Sequence, residues 1–74
     1  MIIPYSIDDD SAIFSMPTGS DGTYTITTTL TITEVTINAL VSVSPFTLVA
    51  GDAVVITFDT APSDGELNLG GSYV

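Results

Sequence analysis

Neither lysine nor arginine occurs in this 74-residue chain, and histidine and cysteine are missing as well. Each absence closes a route. Without cysteine there are no disulfides and no thiolate metal sites, and without histidine the usual zinc and copper ligands are gone. General acids and bases reduce to carboxylates, tyrosine hydroxyls and the amino terminus. No side-chain cation is available to hold a developing oxyanion or a phosphate. A paired-carboxylate hydrolase needs only acids, but here the acids fall in turn-like segments of a chain too short to form a deep, dry cleft. The expectation is a protein that is not an enzyme. A domain of this size buries only about 60% of the surface its unfolded chain exposes. Small domains compensate with disulfides, metals or association. Association with other chains is therefore the expected source of added stability.

What is present begins with acid: seven aspartates and two glutamates, for a net charge of −9. Nucleic acid repels such a chain, and so does an anionic membrane surface, so neither is an expected partner. Two readings of the charge stand side by side. The acids keep a threonine-rich β surface soluble and discourage edge-to-edge association, or they face a positively charged protein or divalent cations. For a hard cation such as calcium the candidate oxygen ligands are Asp8, Asp9, Asp10, Asp59, Asp64 and Glu66, with Asp21 in a further turn. Their spacing matches no EF-hand loop, and aspartate is common in turns because it bonds its own backbone there. Calcium is the one cofactor these residues admit; otherwise none is expected.

No targeting or membrane segment is expected. The start, MIIPYSIDDD, lacks a basic region and a long enough apolar run for a signal peptide. The most apolar window, residues 35–58, contains Asn38, Pro45, Gly51 and Asp52 and makes no transmembrane helix. With 45% hydrophobic residues the chain is not of disordered composition.

The dominant feature is TYTITTTLTITEVTINALVSVS, residues 23–44, which has no glycine or proline. Tyr24, Ile26, Thr28, Leu30 and Ile32 alternate with threonines, the period-two pattern of a strand covered on one face. After Glu34 the apolar positions become Val35, Ile37, Ala39, Val41 and Val43. A slip of one residue turns side chains to the opposite face, so a bulge, a bend or a passage between sheets is expected near Thr33 and Glu34. One unbroken strand would reach ~70 Å, whereas a compact domain of this length has a radius of gyration of roughly 11 Å. Two strands joined by a bend are the expected form, their apolar face serving the core and subunit contacts.

Around this run, MIIPYSI with its early proline reads as an edge strand or an extended arm. Residues 8–11 read as a turn, AIFSM at 12–16 as a short strand, and PTGSDG at 17–22 as a break. Residues 46–50 and 54–58 alternate on either side of Ala-Gly-Asp and read as a hairpin. LNL at 67–69 reads as a last short strand, with Gly70 and Gly71 bending the chain after it. The fold class is all-β, a small antiparallel sandwich or barrel of five to seven strands with an extended N-terminal arm. Residues 1–22 form the arm and turn region and residues 23–74 the β domain, within a single domain overall.

The segment SPFTLVAGDAVVITFDTA, with the closing Gly-Gly-Ser-Tyr-Val, resembles segments of bacteriophage tail-fibre and virion surface proteins. The resemblance covers less than half of the chain. It implies an all-β, threonine-rich, cysteine-poor and trimeric protein. A chain running from Met1 through 74 residues is expected to be a whole small protein, and in that it resembles capsid decoration (cement) proteins more than fibres. The resemblance thus implies a homotrimer on the capsid surface of a virion, bridging subunits of the major capsid protein. The alternative is a fibre-type protein contacting host glycan. The residues expected to form the partner-binding arm are Met1, Ile2, Ile3, Pro4, Tyr5 and Ile7, adding a strand to a neighbour through main-chain hydrogen bonds.

Overall fold

The computed structural model describes residues 5–63 and 67–73, the last stretch as backbone only. Every regular element among them is a strand, as a chain rich in threonine, valine and isoleucine favours. There are eight rather than five to seven: β1 (Ser6–Asp8), β2 (Ser11–Ser15), β3 (Gly22–Thr28), β4 (Ile32–Ile37), β5 (Leu40–Val41), β6 (Phe46–Leu48), β7 (Ala53–Phe58) and β8 (Leu67–Tyr73). They form two antiparallel sheets, a five-stranded one in the order β1-β2-β7-β4-β5 and a three-stranded one in the order β6-β3-β8. The chain passes between sheets at β2–β3, β3–β4, β5–β6, β6–β7 and β7–β8.

The alternation within each strand decides what is buried. Ala12 and Phe14 of β2, Val35 of β4 and Val54, Ile56 and Phe58 of β7 join Tyr24 of β3, Phe46 and Leu48 of β6, and Met16 in one core cluster. The larger of these side chains each contribute about 1.5–3 kcal/mol by leaving water. Tyr24 keeps its polar end satisfied: its hydroxyl donates to the Ser20 carbonyl, and the Ser20 hydroxyl donates to that of Pro17. Those bonds fix the loop that carries the chain from β2 to β3.

The long glycine-free run is divided twice, by different means. Residues 29–31 carry it from the three-stranded sheet to the five-stranded one, with Asp59 N–H donating to the Thr31 carbonyl at 3.0 Å. Two residues later β4 takes up a β-bulge: Ile32 pairs with Phe58 but Glu34 pairs with Thr57, so Thr33 is the extra residue. The passage between sheets breaks the strand, and the bulge moves the inward positions from even to odd numbers. The radius of gyration, 11.2 Å, leaves no room for a single strand.

The odd-numbered pattern does not continue inward to Val43, as the alternation suggested. Asn38 and Ala39 both adopt positive φ, +52° and +68°, and form a two-residue turn that pairs Ile37 with Leu40. Positive φ at both central residues is the backbone a tight hairpin needs for its twist. Ala39 in the turn, and Leu40, Val41 and Val43 beyond it, are exposed.

Two further expectations are corrected. Residues 46–58 are not a hairpin: β6 pairs with β3 while β7 lies between β2 and β4 in the other sheet. The Val49–Asp52 turn, closed by Asp52 N–H on the Val49 carbonyl at 3.1 Å with Gly51 at φ +91°, is an arch between sheets. Gly70 and Gly71 do not bend the chain; both lie within β8, opposite Thr25 and Tyr24. β1 is an edge strand and β2 lies between β1 and β7, inside the larger sheet.

Candidate functional site

The acidic candidates are scattered by the fold. Asp8 ends β1, and Asp9 (φ +55°) and Asp10 form the two-residue turn to β2. Asp59 follows β7; Phe58 N–H donates to the Asp10 carbonyl at 2.9 Å, so the two loops adjoin through main chain. Among the described residues no three carboxylates converge on one point. Asp64 and Glu66 lie outside the described residues.

Two other aspartates have structural work. Asp52 accepts from Val49 N–H and from the Asn38 side-chain amide, each at 2.9 Å, and Asn38 Oδ1 accepts from Ala53 N–H at 3.0 Å. The Val49 N–H, then the Asn38 amide, hold the Asp52 carboxyl below its ordinary value, and desolvation works the other way. Asp21 accepts from Ala50 N–H at 2.9 Å. These bonds fasten the β4–β5 turn, the β6–β7 arch and the start of β3 to one another.

Of the expected arm, Met1, Ile2, Ile3 and Pro4 lie outside the described residues. Tyr5 packs against the chain's own core and its hydroxyl donates to the Ser63 carbonyl at 2.7 Å. Ile7 sits in the edge strand β1, opposite Ala12, and is 43% exposed.

Among the described residues the most exposed large apolar side chains lie elsewhere, at β5 and just after it: Leu40 and Val41 are each 71% exposed and Val43 is 81% exposed. Beside them is a groove of about 310 Å³ along β4, lined by Ile26 and Phe46 from the smaller sheet, Ile32 to Val35 of β4, and Ser42 to Ser44. It exists because β5 is short. β5 pairs only with Thr36 and Ile37, and Ser42 N–H reaches the Val35 carbonyl at 2.9 Å. Among the described residues, no strand pairs with Ile32–Glu34 on that side. The groove thus brings apolar side chains of both sheets together with Thr33, Glu34, Ser42 and Ser44 at the rim of the larger sheet.

The alternation alone does not separate Val41 and Val43, which are exposed, from Val35, which is buried: the sequence reading gives the whole face to the core and subunit contacts together. Asn38 is the signal that marks the difference, as the residue in the run most tolerant of left-handed backbone. No family model matches the chain, and neither a curated protein nor a solved structure matches it.

Proposed function

We propose that this protein is a non-enzymatic binding protein of a bacteriophage virion, a capsid decoration protein that clamps shell subunits. In this reading the two sheets are a small β-sandwich, three copies associate, and the acidic surface meets basic patches of the major capsid protein. The observation that carries the binding role is the exposed apolar edge at Leu40, Val41 and Val43 on a chain of net charge −9. Apolar side chains grouped at an open sheet edge mark a contact surface. A single-signed charge speeds docking to a surface of the opposite sign. The virion assignment rests on the resemblance of residues 44–74, and bridging several subunits makes modest contacts add up through multivalency.

The test is sedimentation of the purified protein with intact phage shells, beside light scattering of the free protein. Stoichiometric co-sedimentation, a trimer mass and shells more resistant to heat are the expected results. A monomer that leaves shells unbound, or that binds host polysaccharide instead, overturns the reading. Removal of residues 1–7 tests the arm: shell binding or trimer mass should fall, and if both persist the arm has no such role.

A further inference from the structure

We infer that the outer face of the five-stranded sheet is the docking surface, and that its occupant is an amphipathic helix of a different protein with basic residues along one flank. The inference deepens the binding role proposed above and rests on it, without depending on the partner being a capsid.

Strand register lines up side chains across this face. Val55 of β7 lies opposite Ile13 of β2 and opposite Thr36 of β4, and Thr36 lies opposite Val41 of β5. Opposed residues share a face of the sheet. The chain neighbours Ala12, Phe14, Val54, Ile56 and Val35 are buried in the core, so this row points away from it. Ile13 and Val41 are exposed at its two ends. The row is one residue wide, and Thr36 is its one polar member. The row on one side of it reads Asp8, Ser11, Thr57 and Glu34. The Ser11 and Thr57 hydroxyls bond each other at 3.0 Å, so this second row is neutral in the middle and carries a carboxylate at each end. On the other side stand Ser15 and Ala53, small and uncharged.

The smaller sheet shows what a solvated face of this protein looks like. Thr23, Thr25 and Thr27 of β3 and Thr47 of β6 are exposed on its outer side, polar and uncharged. Apolar inside and polar outside is the normal alternation of an antiparallel sheet with one wet face. The registered apolar row on the larger sheet departs from it, and grouped exposed apolar side chains mark a contact.

The shape of the row selects its occupant. An extended segment laid on a sheet face, away from any edge, finds no partners for its own N–H and C=O groups. A partner's sheet would cover the flanking rows too, and would set apolar side chains on Asp8 and Glu34. A helix satisfies its own main chain, is about 10 Å across and advances about 5.4 Å per turn. Strands stand about 4.8 Å apart, so a helix lying along the row sets one apolar side chain over each strand. Asp8 and Glu34 then lie beneath one flank, three strand spacings or about 14 Å apart, where basic residues meet them. A second copy of the chain does not supply this. Every regular element among its described residues is a strand, and it would bring a further net −9 with no lysine or arginine.

The experiment titrates blocked peptides into the isotope-labelled full-length protein and follows amide NMR shifts at low salt, where surface charge is least screened. KAALKAQLQALKAQL carries a leucine stripe with lysines along one flank when helical. EAALEAQLQALEAQL exchanges lysine for glutamate, and KALLAQAKQKALLAQ has the composition of the first without the stripe. The expected result is saturable shifts at Ile13, Thr36, Val41 and Val55 with the first peptide and none at Thr23, Thr27 or Thr47. Binding should be at least about five-fold weaker for the other two peptides. E34Q should weaken the first about two- to five-fold. V41S should weaken it while leaving thermal unfolding unchanged, and T23V should leave binding as it is. Equal binding of the stripeless peptide, shifts spread over the smaller sheet or over all the acidic loops, no saturable shift, or parental affinity in V41S each overturn the inference. Shell binding without peptide binding would overturn the docking face and leave the proposed function standing. Peptide binding without shell binding would keep the face and remove the virion.

Discussion

Residues 32–37 and 40–43 are both short runs rich in valine, isoleucine or leucine, yet Val35 is 6% exposed whereas Leu40 and Val41 are each 71% and Val43 is 81% exposed. Composition does not separate them. The first run pairs along its length with β7, and its Val35 shares the core cluster with Tyr24, Phe46 and Leu48 of the other sheet. The second follows a turn that carries it to the rim of the sheet, where one side finds only the end of β4. An apolar residue stabilises a small β protein when a second layer covers it. Where none does, it becomes surface that invites a partner.

The sharpest way to break this comparison is to delete apolar side chains on both sides of the turn. Phe58 is 1% exposed in the central strand β7, so Phe58→Ala should cost about 3–5 kcal/mol. That is a large part of the stability available to a small domain, and the variant should lose its near-ultraviolet circular dichroism at room temperature. Leu40→Ser and Val41→Ser should stay within about 0.5 kcal/mol of the parent. If either serine variant destabilises as Phe58→Ala does, residues 40–43 belong to the core and the contrast is false.

The turn itself offers two smaller tests of opposite sign. Asn38→Ala removes the bonds to Asp52 and Ala53 and leaves alanine at φ +52°, which should cost about 2 kcal/mol in urea unfolding. Ala39→Gly should stabilise by about 0.5–1 kcal/mol, since alanine holds φ +68° there and glycine does so freely. A destabilised Ala39→Gly would mean that the turn does not have this backbone.

These positions also show what the sequence discloses and why it stops. Period-two alternation reveals the strands and most inward positions, from Phe14 to Phe58, because a sheet covered on one face imposes that rhythm on each strand. The slip near Glu34 is visible, and two of the three expected causes operate: a passage between sheets at 29–31 and a bulge at Thr33. Pairing was not visible. Glycine with flanking alternation at 50–52 fits a hairpin and an arch equally well, and long-range register makes the choice. The open edge was hidden for a related reason: the alternation of Val41 and Val43 is the same whether or not a layer lies beneath them.

The smallest expected effect lies at the junction holding the two regions together. Asp52 is ionised more readily in the fold than in the unfolded chain, because the Val49 N–H and then the Asn38 amide donate to its carboxylate. A carboxyl lowered in the folded state contributes stability that is fully present above its unfolded value of about 3.9 and is lost as pH falls through the lower folded value. Asp52→Asn keeps the shape and cannot titrate. The parent should therefore be more stable than Asp52→Asn near neutrality, and the gap should shrink as the pH is taken below about 4. Urea midpoints of both proteins from about pH 6 to about pH 2.5 read this directly. A gap that stays constant over that range would assign the junction to hydrogen-bond geometry alone, with no contribution from the charge. A gap that closes would show that the exposed β5 turn is fastened to the buried strands partly by an ionised side chain.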